Sequence, residues 1–168
     1  GAIGCEFAYY FNEFGTEVRL IEAQENILPI EDADIGRELK NNFENSGIAV
    51  LTGTEVLKID SMKTKVKVLT KKEGVKNDYE ADIALLAIGV RGNIENIGLE
   101  ELNVKTNTSA IEINEFNQTN IPNIYAIGDV SGAPWLAHIA SAQAHVAVEH
   151  SVGHTPKPIN YNYIPSCT

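Results

Sequence analysis

The chain is poor in basic charge, in cysteine and in long apolar runs. Thirteen Lys and Arg stand against 23 Asp and Glu, for a net charge of −10. Nucleic acids and anionic membranes select basic patches, so neither is expected as a partner. Cys5 and Cys167 are the two cysteines. They are too few for a disulfide framework and wrongly spaced for a metal site, so no metal ligands are assigned and a reducing, intracellular compartment fits best. The longest apolar run, residues 83–90, is the size of a strand and far short of a bilayer span. The chain opens with neither Met nor a basic segment leading into an apolar one, so no signal peptide is read. What is present is ordinary for a folded soluble chain: 168 residues, 43% hydrophobic and 21% charged, enough for one domain or two small ones. Internal repeats and low-complexity tracts are lacking too.

The hydrophobic pattern switches period along the chain. Residues 5–11 place apolar side chains at helical spacing up to Gly15, and residues 17–22 then alternate as a strand ending in an acid. Residues 32–45 read as a second amphipathic helix, with Ile35, Leu39 and Phe43 on one face and a stop at Gly47. Residues 48–51 form a short buried strand. Over residues 54–80 the period becomes two, which predicts an antiparallel meander with turns at Asp60-Ser61 and at Lys72-Glu73-Gly74. Residues 83–88 read as a buried strand of the parallel type ending at Gly89, and residues 124–127 as another ending at Gly128-Asp129. The polar stretch 90–123, with a short strand at 110–113, reads as a connection between domains. Residues 135–152 predict an Ala-rich helix ended by Gly153, and residues 159–168 the first strand of a further element.

Chemistry concentrates in a few places. Gly1-Ala2-Ile3-Gly4 opens a helix as the later part of a dinucleotide fingerprint does, where small residues let the backbone approach a pyrophosphate and the helix N-terminus offers free N–H groups. Taken alone, half a motif reads as a plain glycine-containing start. Glu22 ends the second strand about twenty residues on, where an acid accepts from ribose hydroxyls and repels a 2′-phosphate, favouring NAD over NADP. Glu6, in the first helical turn, either complements the helix dipole or reaches towards a nicotinamide. Gly89 is either a simple turn or a point of close ligand approach. The segment 119–129 delivers Gly128-Asp129 at the carboxyl end of an apolar run, so Asp129 can accept from ligand hydroxyls, although a turn or cap role is open to it as well.

These residues resemble the pyridine nucleotide–disulfide oxidoreductase family, along the whole chain. The resemblance runs through Gly1 to Ala8, the Ile27-Leu28-Pro29-Ile30-Glu31-Asp32-Ala33-Asp34-Ile35 stretch, Ala87-Ile88-Gly89, the 119–129 segment and Leu136-Ala137-His138. The second and last of these lean towards the branch that reoxidises dihydrolipoyl groups. The resemblance implies an α/β fold: a Rossmann-like NAD-binding domain (1–92) lacking its first strand and carrying an antiparallel β-meander excursion. The C-terminal part of an FAD-binding domain (93–156) and the start of an interface domain (157–168) would follow. It implies two cofactors, NAD and FAD. Gly1, Ala2, Ile3, Gly4 and Cys5 would lie along the NAD pyrophosphate, Glu22 at the adenosine ribose, Glu6 near the nicotinamide, Val56 on the adenine side, and Gly89 at the strand end. Gly128 and Asp129 would hold the FAD ribityl chain, and the backbone of Trp135, Leu136, Ala137 and His138 would face the flavin pyrimidine.

Departures from the family pattern are equally informative. The redox-active cysteine pair and the downstream His-Glu pair have no counterpart here, so no catalytic residue is assigned and the chain by itself is expected to be inactive. Arg91-Gly92-Asn93 replaces a more usual Arg-Arg-Pro-Asn-like run. The expected parent is a homodimeric enzyme of the bacterial cytoplasm or mitochondrial matrix, serving the dihydrolipoyl domain of a 2-oxoacid dehydrogenase complex. Two alternatives stand beside it: another NADH-linked disulfide reductase of the family, and a non-catalytic NAD-binding module.

Overall fold

A computed structural model describes all 168 residues, which divide into two compact units, Gly1–Gly89 with Thr168, and Val90–Cys167.

In the first unit helix α1 (Ala2–Glu13) leads to strand β1 (Arg19–Ile21), helix α2 (Ala33–Asn45) and strand β2 (Ala49–Leu51). β1 and β2 pair in parallel, Leu20 opposite Val50, as a strand–helix–strand crossover requires. The core lies between this pair and the helices: Cys5 and Ala8 from α1, Phe43 from α2, Val50 from β2, and Ile27, Leu28 and Ile48 from the connections. Burying each large member contributes about 1.5–3 kcal/mol. Asp32 caps α2 by accepting from the Asp34 N–H at 2.8 Å, so the Glu-Asp-Ala-Asp run marks a helix start. The Ile27-Leu28 pair just before it is core.

The meander follows as β3 (Glu55–Ser61), β4 (Val66–Lys72) and β5 (Val75–Ala81), an antiparallel sheet in the order β3-β4-β5. Its first turn falls at residues 62–65, because β3 continues through Asp60 and Ser61, which pair with Lys67 and Val66. The second turn is at Glu73-Gly74, as expected. Lys72 Nζ donates to the Thr52 carbonyl at 3.0 Å and Arg19 lies 4.6 Å over the Tyr79 ring, tying the sheet to the parallel pair.

Residues 83–88 depart from expectation. They form no strand, and Ile83, Leu86 and Ile88 are 82%, 68% and 93% exposed. A parallel strand needs at least one neighbouring strand to hydrogen-bond, and no strand of the unit pairs with this run. Ala87 nevertheless lies against α1, near Gly4.

In the second unit the 90–123 stretch is no mere connection. Leu99, Val104 and Ile111 form a core with Ala126, built on turns and isolated bridges. The strand expected at 110–113 reduces to the Thr106–Ile111 bridge, and the one at 124–127 to the Gln118–Tyr125 bridge. In both places Asn side chains and turns take up the backbone groups: Asn107 Oδ1 accepts from the Ser109 and Ala110 N–H groups, and Asn114 Oδ1 from those of Phe116 and Gln118. A 3₁₀ turn at Gly128–Ser131 precedes helix α3 (Ala137–Ser151). Trp135 stays outside the helix, and Leu136, in extended conformation, is its N-cap. The expected terminal strand over 159–168 is absent. A 3₁₀ turn at Tyr161–Tyr163 stands there, with Asn160 Oδ1 capping it.

Candidate cofactor-binding sites

The first candidate site belongs to the first unit. α1 has no side-chain cap, so its opening N–H groups remain free. Glu22 lies one residue beyond β1; its Oε1 accepts from the Gln24 N–H at 2.9 Å, and its Oε2 pairs with the amino-terminal ammonium of Gly1 at 3.3 Å. The packing of α1 on β1 thus sets the end of the strand that carries Glu22 beside the helix that the glycines open. The glycines leave room as well. A Cβ on Gly1 would meet nothing within 4 Å, and one on Gly4 would make only ordinary contacts with Ala87 and Leu20 at 3.5 and 3.7 Å. The chain's own packing therefore does not demand glycine at either position, and their smallness suits a group outside the chain. That fits a dinucleotide pyrophosphate.

The remaining residues of this set fall as follows. Ala2 is half-buried, while Ile3 and Glu6 are exposed on α1. Cys5 is 2% exposed, and burial above all, with Glu22 nearby adding to it, pushes its thiol above its ordinary value. It is a core residue rather than a reactive one. Val56 is exposed on β3, beside a register shift in the β3–β4 pairing. Gly89 is exposed at φ +128, two residues past Ala87.

The second candidate site belongs to the second unit. Gly128 has φ +71, a conformation that favours glycine, and places Asp129 on the 3₁₀ turn with its carboxylate exposed and unpaired. α3 packs against this turn and begins without a side-chain cap, so the Ala137 and His138 N–H groups are available. Trp135 and His138 are exposed and Leu136 half-buried. A free carboxylate for hydroxyls and an uncapped helix start for an electron-rich ring edge suit a flavin nucleotide. In the loop that departs from the family pattern, Gly92 donates its N–H to the Ser109 carbonyl at 2.8 Å, a bond that proline could not make. Arg91 pairs with Glu95 at 3.0 Å.

One residue of this unit escaped the sequence reading. Gln143 is 3% exposed and bonded to the Gly128 turn. Its signal was a long polar amide on the buried face of α3, four residues from Ile139.

Residues 1–144 match the family described as pyridine nucleotide-disulphide oxidoreductase. The chain is 40% identical to the dihydrolipoyl dehydrogenase of Bacillus subtilis over 99% of its own length and 36% of the relative's. It is 39% identical to that of Mycobacterium leprae, again over 36% of the relative. Among solved structures, LpdA from Mycobacterium tuberculosis superimposes with a TM-score of 0.83 at 28% identity, covering 94% of this chain and 34% of that one. The HOCl-induced flavoprotein disulfide reductase RclA from Escherichia coli does so with a TM-score of 0.83 at 26% identity, over 94% of this chain and 36% of that one. The chain spans about a third of the length of the curated relatives it matches. With a match of this extent over its α/β fold, the chain belongs to the pyridine nucleotide-disulphide oxidoreductase family.

Proposed function

We propose that the chain supplies the NAD site and one side of the FAD site of a dihydrolipoyl dehydrogenase. Residues 1–92 are the NAD-binding part, 93–156 the second segment of the FAD-binding part and 157–168 the start of the interface part. The division of the structure after Gly89 supports a boundary in that region. The observation that carries the reading is the uncapped start of α1, whose first N–H groups are free, packed against strand β1 with Glu22 at that strand's end.

Ala2, Ile3 and Gly4 bind the pyrophosphate through their free backbone N–H groups, with Gly1 and Cys5 beside them, and Glu22 accepts from the ribose hydroxyls and repels a 2′-phosphate. Glu6, Val56 and Gly89 border the nicotinamide and adenine ends. Gly128 and Asp129 take the ribityl chain, and the α3 N-terminus, residues 135–138, stabilises negative charge at the pyrimidine edge. Residues 128–129 and 135–138 would hold FAD and residues 1–6 and Glu22 would hold NAD⁺, and the bound pair would supply two-electron chemistry between a dithiol and the nicotinamide. The parent enzyme is a homodimer that acts on the dihydrolipoyl domain of a 2-oxoacid dehydrogenase complex. No helix of the chain is long and apolar enough to cross a membrane, which suits an enzyme of the cytoplasm or mitochondrial matrix.

Glu22→Gln in the full-length enzyme tests this. The amide keeps an acceptor for the Gln24 N–H but loses the charge, so the KM for NAD⁺ should rise about tenfold with kcat little changed. A KM equal to that of the wild type would refute the NAD assignment. The equal TM-score of the RclA structure supports a second reading, another NADH-linked disulfide reductase of the family. Turnover with a different disulfide, and none with lipoamide, would favour it.

A further inference from the structure

We infer that Gln143 is a positioning residue for the flavin: its buried amide fixes the Gly128–Ser131 turn and thereby aims the Asp129 carboxylate. The inference rests on the proposed role of Asp129 at the ribityl chain. Gln143 Oε1 accepts from the Gly128 N–H at 2.6 Å, and Nε2 donates to the Tyr161 hydroxyl at 3.0 Å. The amide orientation is settled by its partners, since a backbone N–H can only donate. Ser131 closes the turn on itself, its hydroxyl donating to the Gly128 carbonyl at 2.8 Å, with Gln143 Oε1 only 3.4 Å away.

The two residues divide the work by exposure. Gln143 is 3% exposed, whereas Asp129 is exposed and free of partners. The held atom and the reaching carboxylate belong to adjacent residues, so a shift of the Gly128 N–H carries Asp129 with it. Gly128 has little freedom to find another partner. A Cβ there would stand 3.4 Å from the Ala140 Cβ, so α3 lies directly on the turn. Every buried side-chain polar atom of the chain is partnered, and an apolar side chain at 143 would leave the Gly128 N–H without its acceptor. Tyr161 holds the other end of the amide, so Gln143 also links the flavin turn to the 3₁₀ turn at Tyr161–Tyr163.

The test uses the full-length flavoprotein carrying Gln143→Leu, Gln143→Asn, Gln143→Glu and Asp129→Asn. FAD binding to the apoprotein is titrated by flavin fluorescence, the bound flavin absorption spectrum is recorded, and circular dichroism checks that each apoprotein is folded. Gln143→Leu should weaken FAD binding about tenfold and shift the flavin spectrum. Gln143→Glu keeps an acceptor for the Gly128 N–H and should stay close to wild type in both. A folded Gln143→Leu protein with wild-type FAD affinity and spectrum would overturn the proposal, leaving the amide a purely structural prop. Should that variant not fold, Gln143→Asn decides, because its shorter side chain withdraws the acceptor but keeps the polarity. It should weaken FAD binding, and wild-type binding overturns the proposal. Asp129→Asn separates the two layers. Unchanged FAD binding there defeats the Asp129 reading, whereas loss there with full retention in the folded Gln143 variants defeats only the positioning role.

Discussion

Gly36 lies in the first turns of α2, where alanine would ordinarily add about 1 kcal/mol of helix stability. Here a Cβ would stand 2.6 Å from the Ile27 carbonyl oxygen. That carbonyl belongs to a connection whose Ile27 and Leu28 side chains are buried, and Leu28 already holds φ 52. The backbone has little room to withdraw, so the collision outweighs the propensity gain. Gly36→Ala should therefore destabilise the protein by about 1–3 kcal/mol, read as a lower denaturation midpoint at unchanged slope. A midpoint at or above wild type would mean that the 27–28 connection yields. Glu22, Gly1, Gly4 and Asp129 stood out in the sequence as candidates through residue type and order taken together with the family resemblance. Gly36, Gly92 and Gln143 did not, because each role depends on a neighbour the local pattern does not name. For Gly92 that neighbour is the Ser109 carbonyl, and for Gln143 it is the Gly128 N–H.

Elements were legible where their stabilising partners are close in sequence. α1 and α2 follow the helical period, and the meander follows the period of two, because a hairpin brings its own hydrogen-bonding partner within a few residues. Residues 83–88 have a strand-like composition, but a parallel strand depends on partners far along the chain, and here they remain unpaired. Hydrogen exchange on the 168-residue chain should separate the two cases. Amides of 83–88 should exchange without measurable protection, while those of Val68 and Thr70 on the central strand β4 are protected. Slow exchange in 83–88 would show that this run is paired in solution, by self-association if by nothing else, since Ile83, Leu86 and Ile88 present an apolar surface.

At the scale of the whole chain, the proposed sites would bind and orient, and the two cysteines within these 168 residues are both free. Moving an electron pair from a dithiol requires a thiolate that can be reached and a second sulfur to close the disulfide. Cys5 is buried in the first unit with its thiol pushed up by burial, and Cys167 is exposed in the second, with no disulfide between them. Because the folded-state value of Cys5 is raised, its neutral form is favoured: the associated stability is fully present below the ordinary thiol value of about 8.5 and is lost as pH rises through the folded value. At neutral pH, then, Cys5 is a packing residue. The 168-residue chain supplied with FAD, NAD⁺ and dihydrolipoamide should produce no increase in NADH absorbance, under conditions where a full-length dihydrolipoyl dehydrogenase does. Native alkylation should modify Cys167 alone, with Cys5 reacting only after unfolding. Dihydrolipoamide-dependent NADH formation by this chain alone would contradict the proposal, because the electrons would then have to pass through a sulfur that the fold keeps buried or one that stands without a partner.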